Sequence, residues 1–260
     1  MKAKWRVLPW FVVLLCCLSV AAESAKPGKN QFALRGRQQY IYYLPANGNA
    51  SRGKVLFVPG DGGWRGFAVD IAKQMQAAGY DVYGLDTRRY LESFVDRGGL
   101  KPADIVTDYR DIADWIRQGN NGRVLLVGWS EGAGLGLAAS ANVRNKDVFE
   151  GLVAIGITEQ NILAWRFSDT WAEITKVMPN EPSFPSAPYV AQVAPLPLFV
   201  IASSRDEYVS QEATKAIVAG AREPKKFVMI EANDHKYGGN TDTLFRTLRD
   251  ALLWIVQQHK

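Results

Sequence analysis

Short apolar runs alternate with amphipathic repeats along most of the chain. Residues 55–58 and 124–127 are wholly apolar, without the alternation of a half-buried strand, so each favours a strand buried on both faces. Between such runs, apolar residues recur every three or four positions, as they do in the segment 102–117. This alternation predicts a mostly parallel central sheet with helices on both faces. We predict strands at 54–58, 80–86, 123–127, 151–157, 196–203 and 226–231, and helices at 67–78, 102–117, 133–140, 210–219 and 242–258.

Two segments depart from this alternation. Residues 32–44 contain two strand-like runs around a glycine and predict an opening hairpin, which follows a linker at 26–30. In the segment 158–194 the alternation of apolar runs and helical repeats stops, and six of the twelve prolines lie between 179 and 197. We predict a short helix followed by a Pro-rich extended loop, forming a cap-like insert before the next strand. Its aromatic side chains either form a lid over an acyl or lipid site or cover the sheet, and the pattern favours neither.

The first 22 residues form a segment of their own. A basic start precedes the apolar run 7–20 and a few small residues, which is the pattern of a secretory signal peptide. An uncleaved membrane anchor is the alternative, and we expect a secreted, periplasmic protein. Cys16 and Cys17 both lie in this segment, so we expect no disulfide or thiolate site in the remainder. Loss of its three basic residues lowers the net charge from +5 to +2, which gives no case for nucleic-acid binding.

The motif Gly128-Trp-Ser-Glu-Gly132 stands between a predicted strand and a predicted helix. In this context G-x-S-x-G indicates a nucleophile elbow, in which a sharp turn exposes a serine hydroxyl. Glycines are needed on both sides of Ser130 because the turn leaves no room for a Cβ. The alternative is an ordinary strand-to-helix turn in which the serine caps the helix. With the parallel sheet, the motif predicts the α/β-hydrolase fold for residues 53–258, after a linker and hairpin at 23–52.

The base is predicted by elimination. A serine hydroxyl is a weak nucleophile at neutral pH and needs a base in contact with it, for which histidine is best suited. The chain has two histidines, and His259 is the penultimate residue. His235 lies in a loop directly after the last predicted strand. If Ser130 has a histidine partner, it is His235; the alternative is a histidine of a surface loop.

The acid that orients the histidine comes between the serine and the histidine in chains of this fold. Asp206 lies just beyond the next-to-last predicted strand, where that order expects the acid. Glu207 beside it and Glu159 are the alternatives. Asp234 is predicted to be a turn residue, since adjacency to the histidine in sequence does not produce the required geometry.

Acyl transfer also needs two backbone N–H groups that bind the developing oxyanion. One belongs to the residue after the serine, Glu131, and the other to the glycine-rich loop after the first buried strand, where Asp61 is the predicted donor. Each is worth about 3–4 kcal/mol of transition-state stabilisation. Gly62, Trp64 and Trp129 flank these donors and are predicted to contact substrate. The loop lacks both common phosphate-binding signatures, and this chemistry needs no metal or cofactor.

Both predicted oxyanion donors carry carboxylate side chains. Negative charge does not help an anionic transition state, so Asp61 and Glu131 require another explanation. If they point into the site, they suit a cationic group close to the scissile ester, such as the ammonium of an aminoacyl ester. The alternative is that they turn outward to neighbouring arginines, namely Arg65, Arg88 or Arg89.

Four segments, taken in order, resemble one protein family: Pro59-Gly-Asp-Gly-Gly-Trp64, Gly84-Leu-Asp-Thr-Arg-Arg-Tyr90, the helix after Lys101-Pro102, and the elbow motif. The combination is similar to the VirJ/AcvB bacterial virulence proteins, which are periplasmic α/β-hydrolases. The resemblance covers roughly residues 53–258. Carried over by position, it implies that Ser130, Asp206 and His235 form the triad.

The resemblance also implies a substrate. It points to hydrolysis of aminoacylated phosphatidylglycerol, notably the lysyl ester, at a membrane surface, and to a link with type IV secretion. The partners expected are therefore an anionic lipid or a small ester, with secretion proteins as a further expectation. Two alternatives stay open: a general esterase or peptidase acting on small neutral substrates, and a non-catalytic adaptor of the same fold.

Overall fold

A computed structural model of the chain describes residues 25–48, 50–175 and 179–259. The strands within these ranges are β1 (Gly28–Leu34), β2 (Arg37–Leu44), β3 (Lys54–Val58), β4 (Asp81–Leu85), β5 (Val124–Trp129), β6 (Phe149–Ile155), β7 (Gln160–Ile162), β8 (Ser183–Pro185), β9 (Leu198–Ser203) and β10 (Lys225–Ile230). The helices are α1 (Phe67–Ala77), α2 (Thr87–Glu92), α3 (Pro102–Arg117), α4 (Glu131–Ala141), α5 (Thr170–Thr175), α6 (Ala187–Val190), α7 (Gln211–Ala219) and α8 (Thr241–Gln257).

A mostly parallel sheet forms the centre of the molecule, as predicted. Its eight strands lie in the order β1-β2-β4-β3-β5-β6-β9-β10. The strands from β4 to β10 in that order are parallel, whereas the β1–β2 hairpin joins the edge antiparallel to β4. Val58 at the end of β3 pairs with Gly128 in β5. The two strands therefore end level, and the loops that follow them lie side by side.

Helices cover both faces of the sheet. Leu56 and Phe57 are neighbours in β3, and their side chains lie in separate buried clusters because successive strand residues point to opposite faces. On the Phe57 face the cluster is completed by α1 and α8, with residues such as Ile71 and Leu248. On the Leu56 face it is completed by α3, α4 and α7, with residues such as Ile112. The α/β-hydrolase fold predicted from the sequence is confirmed.

The segment 158–194 differs from its prediction. Its short helix is present as α5, but the strands β7 and β8 pair antiparallel on either side of it. Strands of three residues, one of which ends in Pro185, are too short to produce a periodic signal. Of its aromatic side chains, Trp165 and Phe184 are buried in the cluster on the Leu56 face of the sheet, whereas Phe167 and Trp171 are exposed.

Two other differences concern short elements. The helix α2 was not predicted; it begins after Asp86, whose side chain accepts a hydrogen bond from the Arg89 amide as an N-cap. A helix of six residues is too short to show a repeat. The strand β1 begins at Gly28, inside the predicted linker.

The predicted signal peptide, residues 1–22, lies outside the described residues and stays a prediction. Across the described part of the chain, every helix falls short of the length and apolarity that a bilayer crossing requires.

Candidate active site

Ser130 follows the last residue of β5 and precedes α4 in a strained backbone conformation. Its φ is 56° and its ψ is −125°, a region that residues with a Cβ rarely occupy. The turn is tight because a Cβ on Gly128 would lie 2.2 Å from the carbonyl oxygen of Gly132. A Cβ on Gly132 would lie 1.9 Å from the carbonyl oxygen of Val58. The two glycines of the motif are therefore required by backbone approach, as expected for a nucleophile elbow.

His235 and Asp206 form a buried pair at the ends of neighbouring strands. The Nδ1 atom of His235 lies 2.6 Å from Oδ2 of Asp206, and the two side chains are only 4% and 2% exposed. The second carboxylate oxygen, Oδ1, accepts a hydrogen bond from the Tyr208 amide at 2.9 Å. With Nδ1–H donated to the carboxylate, the lone pair of Nε2 is left to accept a proton.

The imidazole is also held by its surroundings. The main-chain N–H of His235 donates to the Glu207 carboxylate at 2.7 Å. The ring of Trp129 stacks on the imidazole, with centroids 5.7 Å apart, and the ring of Tyr208 meets its edge at 5.0 Å. Glu207, an alternative for the acid, thus binds the backbone of the histidine, and Asp206 binds its ring. Asp234 accepts hydrogen bonds from two amides of its own turn, in agreement with its predicted place.

The serine and the histidine lie at the same end of the sheet. The amide of Ser130 donates to the carbonyl of Ile155, the last residue of β6, at 2.9 Å. The next residue, Gly156, contacts the imidazole, since a Cβ there would lie 2.8 Å from Cε1 of His235. Nε2 of His235 is buried and has no hydrogen-bond partner among the described residues. The structure therefore brings Ser130, His235 and Asp206 to one edge, with a hydrogen bond between the acid and the imidazole but none between the imidazole and the serine hydroxyl.

The predicted oxyanion donors stand on either side of the serine. Glu131 is the first residue of α4, where amide N–H groups have no intrahelical acceptor. On the other side, the amide of Gly63 donates to the carbonyl of Gly60 at 3.0 Å and closes a tight turn that contains Asp61. Gly60 contacts the nucleophile, because a Cβ on it would lie 3.4 Å from Oγ of Ser130. The turn and the helix terminus thus flank the hydroxyl.

A stacked arginine holds this turn against the insert. Nε of Arg88 donates to the main-chain oxygen of Asp61 at 3.2 Å. The same guanidinium lies 3.6 Å from the ring centre of Trp165, which is 1% exposed. A cation over an indole face is a stabilising contact. The Arg88–Trp165 stack could not be predicted from the sequence, since the two residues are far apart in the chain.

The carboxyl group of Glu131 turns inward rather than toward arginine. The residue is 8% exposed, and its Oε1 has no hydrogen-bond partner in the described part of the chain. Burial raises the pKa of Glu131 well above its ordinary value, and the charge of Asp61 raises it further. The main-chain amide of Ile162, in the insert, acts in the opposite direction. The outward orientation considered for this side chain is not found.

The three residues predicted to contact substrate lie in different surroundings. Trp129 packs on the imidazole and therefore belongs to the site. Trp64 covers the sheet instead: its ring stacks on Tyr42 with centroids 4.9 Å apart, and it fills the space beside Gly84. Gly62 lies in the turn next to the guanidinium of Arg65. The sheet contacts of Trp64 account for its position without a substrate.

Tyr208 and Gly156 are residues of this site that the sequence did not reveal. Tyr208 lies two positions after the predicted acid, and this adjacency is the only signal that could have indicated it. No group of three or more histidine, cysteine, aspartate or glutamate side chains among residues 25–48, 50–175 and 179–259 is arranged to hold a metal ion.

Comparisons with known proteins agree with this fold. The family model described as Bacterial virulence protein (VirJ) matches residues 54–174, a range that includes the elbow and ends before the predicted acid and base. The uncharacterized protein Rv2307c of Mycobacterium tuberculosis is 25% identical over 206 residues. That match covers 75% of this chain and 66% of the relative, so the chain spans slightly less than two thirds of that protein.

Two solved structures illustrate the similarity of fold. Est1E from Butyrivibrio proteoclasticus has a TM-score of 0.66 at 14% identity, over 88% of this chain and 99% of Est1E. The α/β hydrolase GrgF from Penicillium sp. sh18 has a TM-score of 0.67 at 15% identity, over 86% and 97% of the two chains. Residues 54–174 therefore match the VirJ family model, within a chain that has the α/β-hydrolase fold.

Proposed function

We propose that this protein is a serine hydrolase that cleaves carboxylic esters. The observation that carries the proposal is the pairing of His235 Nδ1 with Asp206 at 2.6 Å, which leaves Nε2 free at the edge occupied by Ser130. A strained serine between two glycines, a buried imidazole and a carboxylate on the far side of that imidazole are the parts of a catalytic triad. The esterase and hydrolase folds of the structural neighbours are consistent with this proposal.

In the proposed reaction, Oγ of Ser130 attacks the ester carbonyl and its proton passes to Nε2 of His235. The oxyanion accepts hydrogen bonds from the amides of Glu131 and Asp61. Collapse of the intermediate breaks the ester bond, and the leaving alcohol takes the proton from the imidazole. Water then attacks the acyl-enzyme by the reverse route, with His235 again as base. Asp206 accepts the hydrogen bond from Nδ1 of His235 and stabilises the imidazolium throughout.

We propose further that the substrate is an aminoacyl ester of an anionic lipid, lysyl-phosphatidylglycerol in the first instance, and that the protein acts in the periplasm. The match to VirJ supports this assignment. A second support is the distribution of exposed aromatic side chains. Phe167 and Trp171, on the insert, are 87% and 68% exposed, and Tyr208 beside the imidazole is 42% exposed. Aromatic rings exposed in this way suit contact with a membrane interface.

The test is release of lysine from vesicles that contain lysyl-phosphatidylglycerol, with Ser130→Ala as the matched control. We expect release by the native protein and a loss of about 10⁴- to 10⁶-fold in the variant. If nothing is released while a fluorophosphonate probe still labels Ser130, the lipid assignment is wrong and a neutral ester replaces it. If Ser130 is not labelled either, a non-catalytic adaptor is the better description.

A further inference from the structure

The side chain next to the nucleophile is a buried acid with one unpaired carboxyl oxygen. Glu131 is more than nine-tenths buried, and its Oε1 has no hydrogen-bond partner among the described residues. The hydroxyl of Tyr109, on α3, is fully buried and likewise without a partner in the described ranges. Tyr109 lies on α3, which packs against α4, the helix that begins at Glu131. Burial raises the pKa of Tyr109, and the charge of Glu131 raises it further. The charge of Asp61 likewise raises the pKa of Glu131.

Such an arrangement is unfavourable in the absence of a ligand. A buried polar group without a partner destabilises the folded state, and it does so more strongly if it is charged. A glutamine or a methionine would fit the same volume with a smaller penalty. The acid therefore requires an explanation beyond packing, and its position suggests one.

Glu131 lies next to the place where the ester carbonyl of a substrate would bind. Its main-chain N–H is the predicted oxyanion donor, so the carbonyl carbon under attack lies beside this residue. An α-ammonium group is only two bonds from that carbon. The insert also meets this part of the chain, since the Ile162 amide hydrogen-bonds the carboxyl of Glu131 and Asn161 packs against Gly134 of α4. The carboxyl of Glu131 therefore lies where the elbow helix meets the insert.

We propose that the carboxylate of Glu131 is the group that selects substrates with an ammonium on the acyl side, and that Tyr109 supplies a second acceptor for it. The inference rests on the proposed serine hydrolase function and adds the residue that determines its specificity. An ammonium carries three donors and a positive charge. It offers partners to Oε1 of Glu131 and to the Tyr109 oxygen. Because burial keeps the pKa of the free carboxyl high, the cation and the ionised form of Glu131 stabilise each other.

The experiment compares two esters of nearly equal shape. Alanine methyl ester carries the ammonium where methyl isobutyrate carries a methyl group, and methanol release is measured for both. The quantity of interest is the ratio of the two kcat/KM values, each divided by the rate constant of alkaline hydrolysis. We expect the native protein to favour alanine methyl ester, and Glu131→Gln to lower the ratio about 10- to 100-fold, as loss of a charge-assisted hydrogen bond would do. Glu159→Gln, which alters an exposed carboxylate of the insert, is the matched control and should keep the native ratio.

The outcomes separate this inference from the function on which it rests. Turnover of both esters with no preference, or a preference that Glu131→Gln retains, overturns the role of Glu131 and leaves the serine hydrolase in place. No turnover of either ester, with Ser130 unlabelled by a fluorophosphonate, overturns both. If Glu131→Gln does not fold, N-acetylalanine methyl ester replaces the variant: the native protein should lose its preference when acetylation removes the charge, and an undiminished rate contradicts the proposal.

Discussion

The carboxylate of Asp206 meets the imidazole of His235 at 2.6 Å, while the adjacent carboxylate of Glu207 meets the backbone of the same histidine at 2.7 Å. Two consecutive acidic residues thus hold one histidine in two different ways. The first controls the tautomer and orientation of the ring, and the second fixes the loop that carries it. The contributions of the two acids to catalysis should therefore be unequal.

We expect Asp206→Asn to lower kcat for ester hydrolysis by about 10⁴-fold, because an amide cannot stabilise the imidazolium or maintain the tautomer. Initial rates with a soluble ester test this, and Asp242→Asn, an exposed carboxylate at the start of α8, is the control. Glu207→Gln should cost far less than Asp206→Asn. A loss within tenfold for Asp206→Asn, together with a large loss for Glu207→Gln, would assign the role of the acid to Glu207.

Replacement of Gly128, beside the nucleophile, should reduce stability far more than replacement of Gly136, which lies in α4 away from the turn. In Gly128→Ala the new methyl group meets the backbone oxygen of Gly132 at 2.2 Å, and backbone cannot move aside. In Gly136→Ala it meets the end of the Leu152 side chain at 3.0 Å and the Leu126 side chain at 3.7 Å, and side-chain ends can move aside. We expect the first change to lower the free energy of unfolding by about 3 kcal/mol or more, and the second to alter it by less than about 1 kcal/mol. Urea unfolding provides the measurement, and equal effects would contradict the model of a tight elbow.

The buried Glu131 should make stability depend on pH. Because its pKa in the folded chain lies above the ordinary 4.5, the folded state keeps a proton that the unfolded state has already released. The contribution of this group to stability therefore falls as the pH rises from 4.5 toward the raised pKa. Each pH unit in that window can change the free energy of unfolding by at most about 1.4 kcal/mol.

Glu131→Gln removes this titration, so the variant should gain stability relative to the native protein as the pH rises. The gain should be smallest at or below pH 4.5 and should grow above it. Urea unfolding of both proteins at several pH values measures the difference. A constant difference for Glu131→Gln would indicate that its carboxyl is ionised in the folded chain.

The exposed aromatic side chains of the insert should strengthen binding of the protein to lipid vesicles. Replacing Phe167 and Trp171 together by serine removes apolar surface worth on the order of 2 kcal/mol or more when buried in an interface, which corresponds to tenfold or more in partitioning. Co-sedimentation with vesicles containing anionic lipid measures this. Val143→Ser removes an apolar side chain that is 80% exposed elsewhere, and it should bind vesicles as the native chain does. Equal binding by all three proteins would remove the support that the insert gives to a lipid substrate.

Much of the fold was accessible to sequence reasoning because its signals are local. The strands β3 and β5 are apolar throughout, and α3 begins at a proline and repeats its apolar residues at helical spacing. The elements that escaped prediction are short, as α2 and the β7–β8 pair illustrate. Where length is insufficient for a period to appear, tertiary contacts decide the conformation.

In the candidate site, too, the residues with a local sequence signal were predicted and those placed by tertiary contacts were not. A motif indicated Ser130, and chain order and elimination indicated Asp206 and His235. The inward orientation of Glu131 depends on an insert residue, Ile162, and the position of Trp64 depends on a strand that pairs with its neighbours only in the folded chain. Contacts between residues distant in sequence have no local signature. The chemistry of the candidate site was therefore more predictable than the surroundings that tune it.

The anchoring of the insert constrains how it can move. Asn161 occupies the space beside Gly134 and donates to the Ser186 hydroxyl at 2.8 Å, and that hydroxyl donates to the Thr158 carbonyl at 2.6 Å. The root of the insert is thus fastened to the helix that begins at the nucleophile. A displacement of the insert relative to the sheet would therefore have to begin beyond Thr158, Asn161 and Ser186, because these residues are fixed to one another and to α4.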